Sequence, residues 1–181
     1  MTVIPETVMS ETVMSETVMS ETVMSETVMS ETVMSETVTL ASLSQQTGLA
    51  VLDHLDRSVS IPVVDGIQAQ GDLIVVPMSE ISSLSFWPDA RWTDVPPEGV
   101  ELLRGAAGGN PHTLVADPGT CRWTQNVWET GGLVIGVFEA SAPVYLLHPE
   151  HGASGCAPGR YAVRRQREYA PGGWGSRLVA D

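Results

Sequence analysis

The sequence predicts an all-β domain, a small jelly-roll-like sandwich or barrel, with a short N-terminal helical segment and a low-complexity N-terminal tail. Three observations predict it. Residues 6–35 are six copies of Glu-Thr-Val-Met-Ser, and this texture stops after a broken seventh copy, Glu36-Thr37-Val38-Thr39. From residue 61 onward, short apolar runs alternate with Gly, Pro, Asp and Asn, the pattern of short strands joined by tight turns. No long run with apolar residues at helical spacing interrupts that series, which argues against a parallel βαβ sheet. The expected division is a tail over 1–40, a helical linker segment over 41–60 and a β domain over 61–181.

The tail suits no regular structure. On a helix a five-residue step turns the chain by about 140°, so successive valines spread around the cylinder and form no stripe. On a strand an odd repeat sends Val and Met to alternate faces. A low-complexity, disordered tail is the expectation. The next stretch, "ASLSQQTGLAVLDHLDRS", reads as a short helix. Thr47 is a candidate cap, and Leu49, Leu52 and Leu55 recur at three-residue spacing. His54 lies among acids and reads as a solvated side chain.

The expected strands then follow in order: 71–78, 99–105, 112–117, 120–124, 132–140, 143–149, 160–169 and 177–180. The loops between them, such as "VPPEG", "DPG" and "APGGWG", are turn signals because Gly supplies positive φ and Pro fixes φ. In 160–169, Tyr161, Val163, Arg165 and Arg167 share one face, and Ala162, Arg164 and Gln166 the other. That strand leaves the core for a charged edge, which resists edge-to-edge pairing. An anion site on Arg164, Arg165 and Arg167 is the sharper alternative.

Charge narrows the partners. The net charge is −13, and seven of the 22 acids lie in the tail. An acidic chain repels a phosphate backbone, so nucleic acid is not an expected partner. No apolar run is long enough for a transmembrane helix, and no signal peptide is readable, so the expectation is a cytoplasmic protein. Cys121 and Cys156 fit no metal or redox spacing and are expected as reduced thiols.

The chemistry-bearing residues gather at strand ends. "YLLHPEHG" places His148, Glu150 and His151 where a strand meets a turn, since Pro149 cannot donate to a ladder. His112 opens another strand after the glycine-rich "GAAGGNP". Imidazole and carboxylate together suit one divalent metal ion such as Zn, Fe, Mn or Ni. His112, His148, His151 and Glu150 are therefore the candidate metal ligands, with Glu150 alternatively a general base acting on metal-bound water. Backbone carbonyls or water can satisfy strand-end histidines just as well.

"GDLIVVP", "VPPEGVELLRGAAGGNPHTLVAD", "YLLHPEHGASGCAPGRYAVRRQREY" and the terminal "RLVAD" resemble a family of small uncharacterised bacterial and phage proteins, frequent in actinobacteria. The resemblance covers roughly residues 61–181, not the repeat. It implies a grouping of His112, His148, Glu150 and His151. It also implies that Asn110 stands where some members carry a further histidine. Three functions stay open. The first is a metal-binding β domain, a hydrolase or oxygenase of cupin-like layout. The second is a non-catalytic binding or assembly module with a protein partner or as a homo-oligomer, in a phage or mobile-element context. The third is acid–base nucleic-acid processing by the histidines, which the acidic balance disfavours.

Overall fold

The computed structural model describes residues 37–104, 109–169 and 176–179, so the repeat over 6–35 lies outside the described residues. An α-helix, α1 (Leu40–Thr47), opens the fold. It is followed by β1 (Val63–Val64), β2 (Gln68–Gln70), β3 (Leu73–Pro77), β4 (Leu84–Phe86), β5 (Thr93–Asp94), β6 (Val100–Arg104), β7 (Pro111–Ala116) and β8 (Cys121–Thr124). Then come β9 (Val127–Glu129), β10 (Val134–Ala140), β11 (Val144–His148), β12 (Gly152–Cys156), β13 (Gly159–Arg165), β14 (Arg167–Tyr169) and β15 (Ser176–Leu178).

Most of the described strands form two open sheets, and β4–β9 and β14–β15 are two-stranded ribbons beside them. One sheet has the order β1-β12-β11-β7-β6, the other β2-β3-β13-β10-β8-β5. Every pairing in them is antiparallel except β1 with β12. Alternation decides what each sheet buries. Leu114, Ala116, Val144, Leu146 and Cys156 from the first sheet meet Leu73, Val75, Trp123, Phe138, Tyr161 and Val163 from the second in one core. The architecture is thus an all-β sandwich, and neither sheet closes into a barrel.

Each sheet also has a covered outer face. Val115 and Leu147, on the other side of the first sheet, pack with Leu40, Leu43, Val51 and Ile61. Val137 and Ala162, outside the second sheet, pack with Val127, Leu84 and Phe86 of the β4–β9 ribbon.

The helix ends before the leucines expected to lie on it, because Leu49, Leu52 and Leu55 all follow Gly48. Thr39 is the N-cap: its hydroxyl accepts from Ser42 N, and Ser42 Oγ accepts from Thr39 N in return. Gly48, at φ 72°, ends the helix, and Thr47 is its last residue rather than its cap. Val38 O accepts from Ile61 N, so the broken seventh repeat packs into the domain. The expected strand over 160–169 is split at Gln166. Its side-chain amide donates to Gly71 O and Leu73 O, which turns it inward and separates β13 from β14. Among the described residues, no helix is long and apolar enough to cross a membrane.

Candidate functional site

Register brings the histidines together. Thr113 pairs with Leu147 across β7 and β11, so the next step sets His112 beside His148 at the strand ends. Both belong to the row that faces the second sheet, in line with Leu114 and Leu146. They are 1% and 2% exposed. The His112 and His148 ring centroids are 4.3 Å apart, and His151 stacks on His148 at 4.4 Å. His112 and His151 are 6.3 Å apart. The three candidate histidines thus form a short stack running from the core toward solvent, where His151 is exposed.

The turn between β11 and β12 fixes the middle ring. His148 Nδ1 accepts from Glu150 N at 3.2 Å and from His151 N at 3.3 Å. Those N–H groups have no ladder partner because Pro149 starts the turn, and the imidazole replaces it. A nitrogen that accepts carries no proton, so neutral His148 holds its proton on Nε2. Leu52 N donates to Pro149 O, and Gly152, at φ 76°, leads the chain into β12.

The inner ring is fixed from the opposite sheet. Gln70, at the end of β2, donates through Nε2 to Leu146 O and Gly152 O, both at 3.3 Å. Two carbonyls determine which end of that amide is nitrogen, so its oxygen is the atom 3.2 Å from His112 Nδ1. His112 Nδ1 therefore carries a proton. His112 Nε2 lies 2.9 Å from Asp72 Oδ1, a close ion-pair contact whose geometry falls short of a hydrogen bond.

Glu150 lies at the rim. Its carboxylate accepts from Asn110 Nδ2 at 2.8 Å. Asn110 therefore orients Glu150. Sequence reasoning missed Gln70 and Asp72. Gly71, at φ 55°, makes the tight turn that places one on each side of it, and "QGD" before an apolar run was the available signal. As arranged, the ring nitrogens of His112 face Gln70 and Asp72, and Nδ1 of His148 faces the backbone. Among the described residues, no group of three or more His, Cys, Asp or Glu is placed to hold a metal ion.

A family model described as Domain of unknown function (DUF8820) matches residues 69–166. The chain belongs to that family. The matched span contains Gln70, Asp72, His112, His148, Glu150 and His151 and leaves out α1 and the repeat. No curated protein matches the chain, and no solved structure does.

The other candidates lie elsewhere on the chain. His54 is exposed in the segment after α1. β13 is an inner strand rather than the expected charged edge, since it pairs with both β3 and β10, and of the arginines considered for an anion site Arg164 grips Glu129, through Nε at 3.2 Å and Nη2 at 3.1 Å. Glu129 is 7% exposed and also accepts from Leu133 N, so this pair closes the β9–β10 turn. Arg167 donates to Gly131 O beside it. Cys121 and Cys156 are free thiols in the core of the DUF8820 domain, and burial pushes each up to about 12.

Proposed function

We propose that this protein is a non-catalytic binding or assembly module, and that its histidine cluster is a polar pin joining the two sheets at one end of the sandwich. The observation that carries this reading is the burial of His112 and His148, at 1% and 2% exposure, with nitrogens held by Gln70, Asp72 and backbone N–H groups. Groups so enclosed bind the fold to itself. A buried polar network of this kind specifies one register of packing, because any slip leaves its members unpaired. The exposed apolar side chains of β1 and its surroundings, Val59, Val63, Val64 and Ile67, lie along a sheet edge and support an attachment role.

A divalent-metal centre on His112, His148, His151 and Glu150 is the competing reading, and it predicts a different result. Elemental analysis of untagged full-length chain, after exposure to zinc and manganese, separates the two. The pin reading expects no stoichiometric metal in the parent, and a loss of stability in His148→Ala/His151→Ala. One equivalent of metal in the parent, absent from a folded double variant, would overturn it.

A further inference from the structure

The β4–β9 ribbon divides its side chains cleanly. Val127 and Glu129 are buried, and Leu84 and Phe86 are half-buried against the second sheet. The alternate positions face outward, and two of them are tryptophans. Trp128 is 49% exposed and Trp87 is 53% exposed. Neither is needed for the core beneath, which the inward residues of the same strands already fill.

Register sets their spacing. Trp128 lies opposite Ser85, and Trp87 N donates to Asn126 O one ladder step further on. The two indoles are therefore diagonal neighbours on one side of the ribbon, about 7–8 Å apart at the backbone. Ser85 and Asn126, both exposed, fill the other two corners. Asn126 Oδ1 accepts from Arg91 N at 3.0 Å, which holds that side chain in place. Ser83 and Thr130 are exposed together at the end of the ribbon away from Trp87. None of these six side chains is ionisable, on a chain whose net charge is −13.

We infer that this face binds a neutral saccharide chain. The inference rests on the binding-module reading and names the ligand class. Three features select the ligand. A flat indole presents a negative π-face, and the C–H groups on one side of a pyranose ring are weakly positive, so the two surfaces stack. Hydroxyl and amide side chains beside the indoles match a ligand whose polar groups are all uncharged hydroxyls. The diagonal spacing gives one sugar ring to each indole, so a linked chain gains from both where a single ring gains from one.

Area argues against a protein occupant. A tryptophan buries about 150–250 Å². Two that are half-exposed offer about 200 Å² in all, well short of the roughly 800 Å² per partner in a stable protein interface. A saccharide needs no such area, and its hydroxyls remain partly in water.

The test uses the full chain and isothermal titration calorimetry with neutral hexasaccharides: β-linked and α-linked glucose, and β-linked mannose. A hexasaccharide of uronic acids serves as the charged control. At least one neutral hexasaccharide should bind. Trp87→Ala and Trp128→Ala should each weaken it roughly tenfold, and the double variant should abolish it. Both sites are exposed, so melting temperatures should hold. Trp87→Phe/Trp128→Phe should keep part of the affinity, because the ring remains. Absence of binding to every neutral hexasaccharide at millimolar concentration overturns the inference. So does binding unaffected by the double alanine variant, or a parent dimer that the variant converts to monomer. Release of new reducing ends from a bound sugar would instead overturn the non-catalytic reading, while leaving the aromatic face in place.

Discussion

Replacing Gln70 with leucine tests the pin directly. The change keeps the side chain's size and removes its amide, so it subtracts three buried contacts: two donations to Leu146 O and Gly152 O, and the acceptor facing His112 Nδ1. The unsatisfied Nδ1–H costs about 1–3 kcal/mol. The carbonyl contacts are long at 3.3 Å, so each adds about 0.5 kcal/mol, the low end of the usual range. Both carbonyls lie in the β11–β12 pair, so the loss concentrates where the two sheets meet. The total is about 2–4 kcal/mol, a large part of the roughly 5–15 kcal/mol that holds a domain folded. In urea the midpoint should fall with the slope unchanged, and the melting temperature should drop by roughly 6–12 °C. Gln125→Leu, at an exposed site, is the control and should stay within about 0.5 kcal/mol of the parent. If Gln70→Leu behaves like that control, Gln70 does not hold the cluster, and the proton assignment for His112 falls with it.

The proton positions have their own readout. Imidazole ¹⁵N shifts at neutral pH should show His148 as the Nε2–H tautomer and His112 protonated at Nδ1. A His148 protonated at Nδ1 would contradict its two backbone donors. Glu129→Ala should cost roughly 3 kcal/mol by urea unfolding, because it strands the Arg164 guanidinium and the Leu133 N–H. A change below about 0.5 kcal/mol would show that solvent replaces the carboxylate. Cys121 and Cys156 should resist a disulfide reagent at pH 8 in the folded chain and react at once in urea, since burial lifts both thiols from 9.0 to about 12. Because their folded values are raised, the stabilisation is full below about pH 9 and is lost as pH climbs toward 12. A urea midpoint unchanged between pH 8 and pH 10.5 would refute that account.

The sequence alone determined the fold class and the strongest strands. In "LIVVP", "PHTLVA", "VIGVFEA" and "VYLLH", β-branched and apolar runs sit between turn residues, and that information is local. The same locality explains what stayed hidden. The strand β12, "GASGC", has no apolar pattern of its own and becomes a strand because the His148–Gly152 turn folds it onto β11. The short pieces β1, β2, β4, β5 and β9 exist only as partners of other strands. The broken seventh copy of the repeat, expected as part of the tail, instead supplied the helix cap. At the site, the sequence placed His112, His148 and His151 at strand ends. It could not show that two of them are neighbours, because register depends on pairing between strands 36 residues apart. Nor could it show Gln70 and Asp72 reaching His112 from the opposite sheet. Periodicity records which way a side chain faces, whereas what it meets there is decided only when the two sheets close on each other.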